Sequence, residues 1–262
     1  MGNGDSKPAE QTFSQSADQS ALVKMQNTTA MLKQVSLSVN KVCGVPDNEK
    51  EIYCAPADAK SDFQWEKKDR GLHQIALDLN TDGKTRGCGV NKDHDIWCAD
   101  DMDNPTWIQI GKPPVNIVQL DISGNTVCGV SDKNEILCSF YKLSNWNTHP
   151  GQLSYISLSG SKSCGVGIDS FIYCTDIISH MDPPVWMKVE NAQNFTQIDL
   201  SENTMCAVDN TGTYSCAEYN KSNWVKYGSN VKSVSVQADP ADSSKIRMYI
   251  VDTNNHVTSA TK

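Results

Sequence analysis

Five short cysteine loops constrain the fold of this chain more than any other feature. They read VCGVPDNEKEIYC (42–54), GCGVNKDHDIWC (87–98), VCGVSDKNEILC (127–138), SCGVGIDSFIYC (163–174) and MCAVDNTGTYSC (205–216), and they contain all ten cysteines. In each loop apolar residues flank a polar centre rich in Asn, Asp and Gly, the pattern of strand, tight turn and strand. Folding CGVNKDHDIWC about residues 92 to 94 sets Cys88 opposite Cys98. Directly opposed residues at a non-hydrogen-bonded site lie roughly 4.5 Å apart at Cα, within the span of a disulfide. The expected bonds are therefore local: Cys43 to Cys54, Cys88 to Cys98, Cys128 to Cys138, Cys164 to Cys174 and Cys206 to Cys216. Closing a loop of this size is worth about 3 kcal/mol in the chain-entropy account. Zinc is excluded by spacing, because no C-x-x-C is present and the one nearby histidine, His94, sits at a hairpin tip pointing away from the thiols.

The repeat is longer than the loop. A tryptophan follows each one, at Trp65, Trp107, Trp146, Trp186 and Trp224, with spacings of 42, 39, 40 and 38 residues. Between a tryptophan and the next cysteine loop come segments such as VQLDIS, SYISLS and TQIDLS, apolar at every second place. Each unit thus holds four strands. The C-terminal segment keeps the rhythm without cysteines: YIVDTNNHVTS aligns with CAVDNTGTYSC, placing Tyr249 and Ser259 at the thiol positions. Near the start, ALVKMQNTTAMLKQVSLS matches WVKYGSNVKSVSVQ with Leu22 at the tryptophan position.

Four-stranded antiparallel units repeating at about forty residues are the signature of a β-propeller, in which blades close into a ring and protect their edges. The fold expected is all-β: a six-bladed propeller over 21–262, closed by an outer strand near 21–27 that joins the last blade, with 1–20 as a flexible polar tail.

Two stretches carry a family resemblance, WIQIGKPPVNIVQLDISGNTVCGVSDKNEILC and WNTHPGQLSYISLSGSKSCGVGIDSFIYC. The chain resembles tectonin-repeat lectins over 21–262, with cysteine at the family's second tryptophan position. The RCC1-type propeller is the nearest competitor, but its glycine-rich, histidine-bearing signature is absent and its units run longer. The resemblance implies carbohydrate recognition at several equivalent sites, with glycans on microbial or cell surfaces as partners, such as lipopolysaccharide or methylated sugars, and a role in innate defence. The protein-binding scaffold is the alternative, since a propeller face serves either partner.

A sugar needs planar hydrogen-bonding groups and an aromatic face. The hairpin residues that offer these are Asn91, Asp93 and Trp97, Asp132 and Asn134, Asp169 and Tyr173, and Asp209 with Asn210. The competing role for the loop residues is turn formation, since Asn and Asp tolerate positive φ. The five repeat tryptophans read as packing between blades, whereas Trp97 stands outside their rhythm.

A net charge of −8 without a Lys/Arg cluster argues against nucleic acid. No apolar run is long enough to cross a membrane as a helix. Residues 98–104, CADDMDN, read as an exposed acidic loop, lacking the glycine and distal glutamate of an EF-hand. The histidines His73, His94, His149, His180 and His256 fall at unrelated repeat positions, and no catalytic order stands out. No enzyme, cofactor or metal is expected. Sequons at Asn27, Asn194 and Asn220 and the ten cysteines favour an extracellular or cell-surface location. The start MGNGDSK fits N-myristoylation at Gly2, which points instead to the cytoplasm.

Overall fold

The computed structural model describes residues 23–24, 31–58, 64–179 and 181–262. The expected tail over 1–20, Gly2, Leu22, Asn27 and His180 lie outside the described residues. Strand β1 (Val23–Lys24) comes first in the chain. One sheet holds β2 (Leu32–Leu37), β3 (Lys41–Pro46), β4 (Ile52–Pro56) and β5 (Glu66–Lys68). The next holds β6 (Gln74–Leu79), β7 (Thr85–Val90), β8 (Ile96–Ala99) and β9 (Ile108–Gln109). A seven-stranded sheet follows, made of β10 (Ile117–Ser123), β11 (Thr126–Ser131), β12 (Glu135–Phe140), β13 (Asn147–Ser159), β14 (Lys162–Gly167), β15 (Ile172–Thr175) and β16 (Met187–Lys188). Then come β17 (Phe195–Ser201), β18 (Thr204–Asp209), β19 (Tyr214–Glu218) and β20 (Val225–Gly228). The last sheet joins β21 (Val231–Asp239), β22 (Asp242–Asp252) and β23 (Val257–Thr261) to β1, with Val23 opposite Ser259. All pairings are antiparallel.

Six separate four-stranded sheets are thus not what the hydrogen bonding gives. Four sheets have four strands, and the third and fourth units share β13. The reason is local. From Asn147 to Gln152 this strand pairs with β12, and from Leu153 to Ser159 it pairs with β14. Gly151, at φ 109°, a conformation open to glycine, lets the backbone turn from one partner to the other within a single strand.

The five expected disulfides are all formed, each between residues directly opposed across the hairpin with Cα atoms 4.1 Å apart. The cystines are buried, and each packs into an apolar cluster shared with the following unit. Cys88 and Cys98, for example, lie with Ile117, Leu120 and Ile122 of β10. In the last sheet Tyr249 takes this place and packs with Leu32 and Val35 of β2. The repeat tryptophans lie against the same clusters, as the sequence leads one to expect.

Each unit's first strand lies innermost and is bound to its neighbour by side chains. Gln34 donates through Nε2 to Ile75 O at 2.9 Å and accepts from Ile75 N at 3.2 Å. Gln74 does the same with Leu120, Gln119 with Ile156, and Gln197 with Val234. One tier along, Ser36, Asp121, Ser157, Asp199 and Ser235 accept from the backbone N–H of Leu77, Leu158, Leu200, Val236 and Leu37. A third tier repeats the arrangement, with Asp78, Ser123, Ser159 and Ser201 accepting from Gly124, Gly160, Glu202 and Ala238. Polar residues that alternate with the core positions are therefore engaged by the neighbouring unit rather than left to solvent alone. They replace the hydrogen bonds that innermost edges would otherwise lack.

Two carboxylates meet in the middle tier. Ser157 Oγ is 3.1 Å from both Asp121 Oδ2 and Asp199 Oδ1 while accepting from Leu200 N. A hydroxyl has one hydrogen, so it serves only one ionised carboxylate. A proton on Asp121 resolves the conflict: Asp121 donates to Ser157 and Ser157 donates to Asp199. Desolvation and the nearby Asp199 charge push Asp121 up to about 8. Desolvation likewise raises Asp199 to about 6, against the pull of its four hydrogen bonds. Both line a cavity of about 20 Å³ between the innermost strands, room for a single water. A wider cavity of about 220 Å³ shares Ser36, Asp121 and Asp199 with it.

Candidate functional site

A pocket of about 400 Å³ lies on the fourth unit and is lined by Gly151, Gln152, Leu153, Ile168, Asp169, Tyr173 and Trp186. Three elements build it. Gly151 to Leu153 come from the middle of β13, Ile168 and Asp169 from the β14–β15 turn, and Tyr173 and Trp186 from β15 and the approach to β16. Trp186 is fixed at its polar end, because Nε1 donates to Pro150 O at 3.1 Å. A Cβ at Gly151 would lie 3.2 to 3.3 Å from the indole ring, so the glycine lets the ring sit against the strand.

The polar side of the pocket is organised around Asp169. Its Oδ2 accepts from the Tyr173 hydroxyl at 2.8 Å and its Oδ1 from Phe171 N at 3.3 Å, with Lys188 Nζ 3.8 Å away. Desolvation opposes ionisation of Asp169, but the Tyr173 hydroxyl, Phe171 N–H and Lys188 outweigh it and hold the carboxyl below the usual range. The same hydrogen bond raises the Tyr173 phenol. Lys188 lies 3.1 Å from the Phe171 ring centroid, which keeps the cation at this edge. The outcome is an apolar trough with two aromatic rings, one exposed amide and one ionised carboxylate.

Of the hairpin residues read from sequence, Asp169 and Tyr173 come together here, and Gln152, Ile168 and Trp186 join them. Of these three, Trp186 was read as packing and the other two drew no notice. The remaining candidates are spread over separate sheets. Asn91 Oδ1 accepts from Asp93 N and Asp95 N within its own turn. Asp209 Oδ1 likewise accepts from Thr211 N and Thr213 N. Asn134 adopts φ 64°, the left-handed position that His94, Ser170, Gly212 and Asn255 take in the equivalent turns. Asp132 accepts from Asn116 Nδ2 at 3.1 Å, and Asn210 is exposed. Trp97 lies across from Gly89, with the Arg70 guanidinium carbon 3.4 Å from its ring centroid.

No metal-binding group of three His, Cys, Asp or Glu occurs among the described residues, including the 98–104 loop. There Asp100 pairs with Lys142 and Asp101 with Lys84. No helix among the described residues is long and apolar enough to cross a membrane. The five disulfides are consistent with an extracellular location.

No family model matches the chain, and no curated protein matches it by sequence. Solved structures do match by shape. YCF48 from Cyanidioschyzon merolae superposes with a TM-score of 0.57 at 8% identity, covering 86% of this chain and 81% of that one. Human WBSCR16 gives 0.55 at 9% identity, covering 87% and 71%. Prp20p from Saccharomyces cerevisiae, the yeast RCC1, gives 0.53 at 9%, covering 88% and 68%. The likeness therefore extends to the RCC1 type that the sequence set aside, while the tectonin resemblance has no counterpart among these three. At such identities it shows the fold alone, and the fold is an all-β propeller of antiparallel sheets.

Proposed function

We propose that this chain is a multivalent lectin of the tectonin type, which binds repeated glycans on microbial or cell surfaces without enzymatic activity and serves in innate recognition outside the cell. The observation that carries the reading is the pocket in which Tyr173 and Trp186 flank Gln152 and Asp169. Aromatic rings cover the C–H face of a pyranose, and a carboxylate and an amide take its hydroxyls. We take β13 as part of both sheets that it enters, which would make six units, and the pairing of β1 with β23 supports a closed ring. The other hairpins, with Asn91, Asp93 and Trp97, Asp132 and Asn134, and Asp209 and Asn210, are then weaker variants of one site. Sites repeated on a rigid ring raise avidity by ~10² to 10⁴ on a surface that repeats its sugar.

A glycan array followed by titration of the best hit tests this. Trp186→Ala and Tyr173→Phe should both weaken binding, and Tyr173→Phe should do so while leaving the thermal transition in place. Binding that ignores both substitutions would remove the pocket from the proposal.

One observation favours a protein-binding scaffold as the second reading. Ile168, Ile177, Met181, Val185 and Met187 are 57%, 64%, 68%, 77% and 42% exposed, and all belong to the fourth unit. Exposed apolar side chains concentrated on one unit are a feature of protein interfaces when they adjoin. Among the structural neighbours, Prp20p is described by its binding to Gsp1p and histones, and nidogen in a complex with laminin. A partner captured through this patch would resist release by free sugar, whereas a glycoprotein ligand would be released.

A further inference from the structure

The chain has three arginines. Arg86 is bound to Asp78 at 2.6 Å and Arg247 to Asp239 at 3.2 Å. Arg70 has no carboxylate partner among the described residues, although the chain carries 31 Asp and Glu. Its Nε is enclosed by protein without a hydrogen bond, and its other guanidinium nitrogens are not so enclosed. Burial acts on this cation with no compensating charge and lowers its pKa, though an arginine stays ionised at any physiological pH.

The placement matches the pocket of the fourth unit. Arg70 stands four residues before Gln74, the start of an innermost strand, as Gly151 stands four before Tyr155. Trp97 and Tyr173 each precede the second cysteine of their loop and lie opposite a glycine, Gly89 and Gly165. The second unit therefore has an arginine over the aromatic ring at the place where the fourth has a glycine that lines its pocket. Stacking at 3.4 Å uses the face of the guanidinium. Its N–H donors lie in the plane, so the stack leaves the edge free to engage a carboxylate in two parallel hydrogen bonds.

We propose that Arg70 and Trp97 form a second binding site, specific for a saccharide that bears a carboxylate on its ring. The guanidinium, held in place over the indole, takes the carboxylate, and the sugar ring lies against the outer edge of the pair. The repeated fold thus holds two specificities: an uncharged sugar at Tyr173 and Trp186, and a uronic acid at Arg70 and Trp97. Identification of the ligand as a sugar rests on the lectin reading above.

The test is titration of the full chain with methyl glucuronide, methyl glucoside and acetate, followed through the indole N–H signals of the six tryptophans. Glucuronide should shift the Trp97 signal, and glucoside and acetate should do so only at much higher concentration. Arg70→Gln should weaken glucuronide by about tenfold or more, and Arg70→Lys should recover only part, since an ammonium lacks the fork. The Arg70 side chain has no hydrogen bond to lose, so the variants forfeit only its contact with Trp97, and Arg70→Lys, which keeps a cation at the ring, should keep the parent's thermal transition. Equal binding of glucuronide and glucoside at Trp97, or indifference to Arg70→Gln, would overturn the proposal. Acetate as strong as glucuronide would also overturn it, by showing a bare anion site. Failure of the lectin reading is separate: no sugar would then move the Trp186 signal, and Trp186→Ala would change nothing.

Discussion

Tyr249 lies directly opposite Ser259 on the β22–β23 ladder, at the positions that cystines occupy in the other five hairpins. The ring of Tyr249 fills the space of a disulfide, and its hydroxyl donates to Ala57 O at 3.1 Å. Combining Tyr249→Cys with Ser259→Cys should therefore produce a sixth disulfide, detectable as no gain in free thiol. Stability should not rise. The bond returns about 3 kcal/mol, whereas deleting a buried aromatic ring costs about 3 to 5 kcal/mol. A transition several degrees higher than the parent's would show that Tyr249 contributes little to the seam with β2.

The Asp121–Ser157–Asp199 chain makes stability depend on pH. Asp121 is raised to about 8 and Asp199 to about 6, so the folded chain holds protons that the unfolded chain releases near pH 4. Their contribution is complete below pH 4 and is lost as pH rises through 6 and then 8. The titratable groups facing the chain are Tyr155, Asp78, which is paired with Arg86, and Glu202 at the cavity mouth. Melting temperature should fall between pH 5 and 9, and Asp121→Asn, which removes the titrating carboxyl, should flatten the slope. A parent curve flat over this window would contradict the shared proton.

The parts of this architecture visible in the sequence were those set by local pairing. The cysteine spacing fixed the hairpin register, and the alignment of YIVDTNNHVTS located Tyr249 and Ser259 without any tertiary information. The inter-sheet clasps were hidden for a physical reason. Gln119 and Asp121 alternate with Leu120 and Ile122, which in an ordinary two-layer sheet means a wet face. Here the innermost strand has another strand beside that face, so the same pattern encodes hydrogen bonds between units. The fourth-unit pocket was half visible. Asp169 and Tyr173 share one hairpin, but Trp186 reaches them only because Gly151 opens the neighbouring strand, and a lone glycine before a strand reads as loop.

Gln119 offers a direct measure of the clasps. It is buried, and its amide satisfies both Ile156 N and Ile156 O. Gln119→Leu keeps the volume but leaves both groups without a partner, which costs about 2 to 4 kcal/mol. For a chain of this size each kcal/mol lowers the midpoint by roughly 2 to 4 °C. A loss under 2 °C would mean that water entering the cavity between the innermost strands replaces the amide.

Gly151 controls the width of the fourth-unit pocket and gives the last prediction. Its φ of 109° lies where side chains other than glycine's are strained. An added Cβ would also stand 3.2 Å from the Trp186 ring and 3.3 Å from Ile136 Cδ1. Ile136 is buried in the core, so the indole is the group that must move. Gly151→Ala should therefore cost about 1 to 3 kcal/mol of stability and, by displacing Trp186, weaken sugar binding as much as Trp186→Ala does. The two effects separate in one experiment, in which the indole N–H signal of Trp186 reports displacement and a titration reports affinity. A shifted indole with unchanged affinity would place the sugar elsewhere on the chain.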